Sequence, residues 1–167
     1  PTRRSSDLLA PEANIMLVVA KSDSIDDLMN AVDYASKGGA HVISMSWGRY
    51  EFQEMSTYES HFKQPNTVYI AATGDSGSGV QWPAVSPNVL AVGGTTLVLN
   101  HNGQLTKKEI AWYASGGGIS SYQSEPEYQK KYGIDSNNYR TIPDVSFCAD
   151  PSNGVVIYIQ VQQVGLL

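Results

Sequence analysis

Four short apolar runs, set apart by helical or turn sequence, constrain this chain more than any other feature. They are ANIMLVVA (13–20), HVISMSWG (41–48), TVYIAATG (67–74) and NVLAVGGTTLVL (88–99). Each is too short for a buried helix and shows little polar alternation. That is the pattern of strands in a parallel sheet covered on both faces. Between the first two runs lies SDSIDDLMNAVDYASKGGA. Ser24 can cap a helix there, Asp26 and Asp27 favour its first turn, and Gly38 stops it. Ile25, Leu28, Met29, Val32 and Ala35 recur at helical spacing. EFQEMSTYESHFKQ (51–64) predicts a second helix with a weaker stripe of Phe52, Met55, Tyr58 or Glu59, and Phe62. Strand, helix, strand, helix, strand is the signature of an α/β fold built on a parallel sheet.

The second half is richer in loops. TTLVLNHNGQLTKKEIAW predicts a hairpin around Asn102-Gly103. A short helix is expected from about Glu125 to Tyr132, and one apolar strand at Val155–Tyr158. The first seven residues, PTRRSSD (1–7), are polar and basic and read like a translated sequencing adaptor. They are expected to be a cloning scar and no part of the fold.

Composition narrows the function. A chain of 167 residues suits one domain with a sizeable core. The net charge of -5 argues against a nucleic-acid partner, which would need a basic face. No apolar run approaches the ~18 residues of a membrane-spanning helix, so no membrane partner is expected. The single cysteine, Cys148, cannot form an intrachain disulfide and reads as a small buried hydrophobe.

In an open parallel sheet, ligands bind at the carboxyl ends of the strands. One predicted strand ends in Ser46-Trp47-Gly48, another in Gly74-Asp75-Ser76-Gly77. Both endings should lie on one rim, which places Asp75 at a functional edge. An acid in a glycine-rich turn can cap a helix, hold a metal or do chemistry. His41, His61 and His101 stand far apart in sequence and fit no metal-ligand spacing. A nucleophile elbow of the GxSxG type is not matched at Ser76, which reads as a turn residue.

At this point VISMSWG, AATGDSGSG, WPAVSPNVLAVGGTTL, SGGGISSY and PDVSFCADPSNGVVIY stand in one order and spacing. Together they resemble the sedolisins, the serine-carboxyl peptidases, over roughly residues 8–158. The resemblance implies a subtilisin-like parallel sheet flanked by helices, here incomplete at both ends, and peptide or protein substrates. It implies a Ser-Glu-Asp triad in place of Ser-His-Asp. Asp75 matches the family's oxyanion-hole aspartate. A carboxylate cannot donate a hydrogen bond, so Asp75 serves there only when neutral, which needs low pH, burial or both. Ser46, Trp47, Gly48 and Gly74 match the segments that line the substrate cleft. The resemblance also places Trp47 beside the catalytic carboxyl network. Gly116, Gly117 and Gly118 match a glycine-rich stretch near the cleft, with no role assigned. Arg140 and Asp144 match a recurrent structural feature.

Other family elements are missing. The nucleophile's Gly-Thr-Ser motif should follow GVVIY, where the chain reads IQVQQVGLL (159–167), expected to be a frameshifted tail. The triad Glu and Asp belong just before LLAPEANI, where PTRRSSD stands. The family's calcium ligands lie beyond the nucleophile, so no metal ligand is expected here. The expectation is a central fragment of an acid-acting, secreted or lysosomal/vacuolar serine-type peptidase, inactive as given. The alternatives are a degenerate peptide-binding pseudoprotease and an ordinary subtilisin-like protease. The latter predicts Asn at position 75 and an upstream histidine motif, neither of which occurs.

Overall fold

A computed structural model of the chain describes residue 10, residues 12–134 and residues 136–153. The expected scar (1–7), the strand Val155–Tyr158 and the tail (159–167) lie outside the described residues. The first helix, α1 (Ile25–Lys37), forms for the reasons its ends suggest. The Ser24 hydroxyl accepts the Asp27 N–H at 3.3 Å, and the Gly38 N–H donates to the Tyr34 carbonyl at 2.9 Å. Met29, Val32 and Ala35 form its buried stripe.

Strands β1 (Val42–Met45), β3 (Val68–Ala72) and β5 (Leu90–Thr96) pair in parallel in that order. Between β1 and β3 runs β2 (Arg49–Tyr50), and β4 (Gln81–Trp82) pairs with it in antiparallel. β6 (Ile110–Ala111) extends the sheet in antiparallel beside the end of β5. A hairpin ladder, β7 (Gly118–Ser124) with β8 (Tyr139–Ile142), brackets a one-turn helix α2 (Glu127–Lys130). Finally β9 (Val145–Cys148) pairs in parallel with β5. The α/β architecture and parallel sheet expected from the sequence are therefore present.

The second predicted helix is a helical segment of 3₁₀ pitch, Gln53–Phe62. Its three-residue turn suits the spacing of Phe52, Met55 and Tyr58. Met55 and Phe62 are buried, while Phe52 and Tyr58 pack on the core's edge. Trp82, fully buried, is the hub: its ring lies 5.7 Å from Phe52, 5.7 Å from Tyr58 and 5.8 Å from Phe62, centroid to centroid. Asn102-Gly103 does form a turn, with the Asn100 carboxamide oxygen accepting from the N–H groups of residues 102 and 104.

Three expectations are corrected. The run 13–20 forms no strand among the described residues. No neighbour supplies a ladder for it, so Ile15, Met16, Leu17 and Val19 stand exposed and Val18 alone packs against the core. The strands are also not buried on both faces. Ile43, Met45, Tyr69, Ala71 and Ala91 point into the core under α1 and the 3₁₀ segment, whereas Val42, Val68 and Leu90 face outward. Cys148 is exposed rather than buried, because it ends β9, every residue of which is exposed.

Candidate functional site

The rim follows from register. In the β1–β3 ladder Met45 stands opposite Ala71, so the next residues of both strands leave the sheet side by side. Ser46, Trp47 and Gly48 emerge from one, and Thr73, Gly74 and Asp75 from the other. The structure thus gathers all five of the residues named from sequence at one edge. Ser46, Gly48 and Asp75 are exposed, while Trp47 and Gly74 are half-buried.

The turn carrying Asp75 needs its glycines. Gly74 has φ +105° and Gly77 φ +78°, conformations that side chains with a Cβ rarely adopt. No helix begins after Asp75, since β4 follows, so a helix-capping role is excluded. Asp75 makes no hydrogen bond or ion pair with any described residue.

A strap holds this turn. The Gly116 N–H donates to Gly74 O at 2.8 Å, and the Gly77 N–H to Ala114 O at 2.8 Å. Gly79 and Gly117 exchange two backbone bonds, 3.0 and 3.1 Å long. The buried Thr73 hydroxyl donates to Gly116 O at 2.9 Å. The glycine run that the sequence left without a role is thus a backbone clamp under the Asp75 turn. A Cβ on Gly116 would overlap the Thr73 carbonyl oxygen. The repeated glycines were the signal; the partner strand they clamp was not legible from them.

Two further features were missed. The side chain of Gln81 lies over both Gly48 and Gly74, joining the two strand endings. Glu51 accepts from the Ser120 hydroxyl at 2.6 Å and the Ser121 N–H at 2.8 Å, tying the end of β2 to β7. Trp47 contacts Trp82, ring centroids 6.1 Å apart, and packs at the core's edge. Its indole makes no hydrogen bond to a carboxylate among the described residues.

Away from the rim, the buried guanidinium of Arg140 meets Asp144 in a fork, with both N···O distances 2.6 Å. Asp144 also accepts the Ala91 N–H at 2.8 Å. This pair locks β8 to β5. A cavity of about 780 Å³ opens at the amino ends of β3 and β5 between Val68, Leu90, Tyr128 and Tyr132. It lies at the opposite end of the strands from Asp75. Among the described residues no three His, Cys, Asp or Glu side chains gather where a metal ion could sit.

The family model for the Subtilase family matches residues 5–155. The chain belongs to the subtilase family. Within it, this subtilase is 41% identical to Sedolisin of Pseudomonas sp. (strain 101) over 98 residues, 52% of this chain and 16% of that protein. It is 30% identical to Kumamolisin of Bacillus sp. (strain MN-32) over 182 aligned positions, covering 90% of this chain and 32% of that protein. The solved structure of Pseudomonas sedolisin, a serine-carboxyl proteinase complexed with pseudo-iodotyrostatin, superposes with a TM-score of 0.71 at 31% identity. That superposition covers 86% of this chain and 48% of that one. The chain thus spans less than a third of the length of these two curated relatives. The sedolisin resemblance and the subtilisin-like fold expected from the sequence are both borne out. No helix among the described residues is long and apolar enough to cross a membrane.

Proposed function

We propose that this subtilase chain is the central part of an acid-acting serine-carboxyl peptidase. On this reading the whole enzyme hydrolyses peptide bonds through a Ser-Glu-Asp triad, and Asp75 donates a hydrogen bond to the oxyanion. The observation that carries it is the rim itself: β1 and β3 end side by side and present Ser46–Gly48 next to Gly74-Asp75. A peptide lying extended along Ser46–Gly48 would pair with that backbone as an added strand. Its scissile carbonyl would then face the Asp75 turn.

As the carbonyl becomes tetrahedral, its oxygen gains negative charge. A neutral carboxyl at Asp75 donates its O–H to that oxygen; an ionised one repels it. The described residues do not bury Asp75. This reading places the enzyme in an acidic, secreted or lysosomal setting. The Gly116 clamp holds the donor in place before the charge develops, so little reorganisation is needed at the moment of reaction. The nucleophile, its carboxylate base and the calcium ligands are assigned to parts of the enzyme outside this chain. The 167-residue chain alone is accordingly expected to hydrolyse no peptide.

The test uses the enzyme from the full-length reading frame. Asp75→Ala should lower kcat by about 10²-fold or more with KM little changed. Asp75→Asn, which donates at any pH, should retain more activity and move the optimum upward. Full activity in Asp75→Ala, or an alkaline optimum in the native enzyme, would overturn the reading. So would serine-dependent cleavage by the purified 167-residue chain, for the part concerning its inactivity.

A further inference from the structure

The Asn102-Gly103 turn takes no part in the rim. It closes a hairpin in which Leu99 and Leu105 form an antiparallel bridge, and residues 101–110 are all exposed. Asn100 anchors the turn. Its carboxamide oxygen accepts the N–H groups of Asn102 and Gln104 at 2.9 and 3.0 Å, and its Nδ2 donates to Gln104 Oε1 at 3.1 Å. The Asn102 carboxamide, by contrast, makes no hydrogen bond with any described residue.

A free asparagine carboxamide exposes its carbonyl carbon to the backbone nitrogen of the next residue, and asparagine is thermolabile for that reason. A side chain on the next residue, or a rigid backbone, obstructs the approach. Gly103 has no side chain, and an added Cβ there would meet nothing within 4 Å. Its N–H donates to Asn100 O at 3.0 Å, a bond between exposed residues of a hairpin tip, where local opening costs little. Other asparagines lack this combination. Asn88 donates its Nδ2 to Glu59 Oε2 at 2.8 Å and is followed by the buried Val89. Asn30 lies inside α1. Asn66, Asn137 and Asn138 are held at positive φ and precede residues that carry side chains.

We propose that Asn102 is a site of self-modification, at which the exposed Asn102-Gly103 turn converts its own carboxamide to a carboxylate through a succinimide. Hydroxide removes the proton of the Gly103 nitrogen, which attacks Cγ of Asn102. A new C–N bond closes the ring, and the side-chain nitrogen takes a proton from water and leaves as ammonia. Water then opens the ring at either carbonyl, giving aspartate or isoaspartate, and nothing is oxidised or reduced. Each event adds one negative charge to a chain whose net charge is -5. The isoaspartyl product also lengthens the backbone by a methylene, which draws the Gly103 N–H away from Asn100 O and loosens the hairpin tip. Because the attacking nitrogen must lose its proton, the step is fast in alkali and slow in acid. A chain kept in acid retains Asn102, and one held in neutral or alkaline solution accumulates the carboxylate. Nothing in this step draws on the rim or on peptidase chemistry.

The experiment incubates the folded 167-residue chain in ¹⁸O-enriched water, in alkaline and in acidic buffer. The chain is then digested in ordinary water, and tandem mass spectrometry localises any label to its residue. In alkali Asn102 should show the amide-to-acid mass change with ¹⁸O incorporated, while Asn66, Asn88 and Asn138 stay unlabelled. In acid the labelling of Asn102 should be far slower. Chromatography should resolve two products, and the isoaspartyl one should accept a methyl group from a protein isoaspartyl carboxyl methyltransferase. Gly103→Ala, which has room for its Cβ in the fold, should lose most of the labelling, and Asn102→Gln all of it. Labelling of Asn102 in urea but not in the folded chain would overturn the proposal, since the Asn100 anchor would then shield the site. Equal labelling of Asn66 or Asn88, or aspartate formed without isoaspartate, would overturn it as well.

Discussion

Gly116 shows how much one missing carbon decides. Its N–H reaches Gly74 O, and its own carbonyl accepts the Thr73 hydroxyl. The two segments approach so closely that a Cβ has nowhere to go but into the Thr73 carbonyl oxygen. Backbone cannot swing aside as a flexible side chain can. Gly116→Ala should therefore destabilise the chain by about 2–3 kcal/mol, read as a lower urea midpoint with unchanged slope. In the full-length enzyme it should also lower kcat, because the clamp sets the Asp75 turn. Gly103→Ala is a useful contrast. That position also has positive φ, +74°, but nothing lies within 4 Å of an added Cβ. Its cost should stay at about 1 kcal/mol, from backbone conformation alone.

Between elements, two charged pairs make distinct predictions. Asp33 on α1 meets His61 Nδ1 at 2.9 Å and Lys37 Nζ at 3.3 Å, which ties α1 to the 3₁₀ segment. Burial pushes the Asp33 carboxyl up, but the hydrogen bonds and charges of His61 and Lys37 outweigh it and hold the group below its ordinary value. A folded-state pKa below the unfolded one stabilises the fold above the unfolded value. That contribution is lost as pH falls through the folded value. Acidification through the ordinary carboxylate range and below it should thus cost the native chain stability that Asp33→Asn never had. Thermal midpoints of the two should converge across that window. The Arg140–Asp144 fork is a different case, since the Arg140 side chain is fully buried. Asp144→Ala strands a guanidinium without its counter-charge and should cost about 3–5 kcal/mol at neutral pH. Replacing both residues with apolar ones of similar volume should recover much of that loss.

At the scale of the whole molecule, among the described residues, α1 and the 3₁₀ segment cover one face of the sheet, while valines on the other face stay exposed. Val42 is 58% exposed and its ladder partner Val68 52%. Contiguous apolar surface of this kind drives association. The chain should self-associate at micromolar concentration, seen by light scattering after size exclusion. Val68→Lys should reduce that association while changing stability by less than about 0.5 kcal/mol, since the residue loses no core contact.

The alternation of apolar runs and amphipathic stretches was enough to specify an α/β sheet, the caps of α1 and a rim bearing Asp75. Those features are local: helix caps, periodicity and strand endings are written in neighbouring residues. The run 13–20 misled because its composition matches a buried strand, yet burial depends on a partner, and no described strand pairs with it. VSFC at 145–148 misled in the other direction, since a four-residue strand with an exposed cysteine leaves little mark beyond its pairing to β5. The Gly116 clamp, the Arg140–Asp144 fork and Gln81 lying across two glycines join residues far apart in the chain. Sequence determined α1, the parallel strands β1, β3 and β5, and that an acid would stand at a strand's end. Tertiary structure alone decided what touches that acid's turn, because contacts between distant segments depend on register and close approach, which no local pattern encodes.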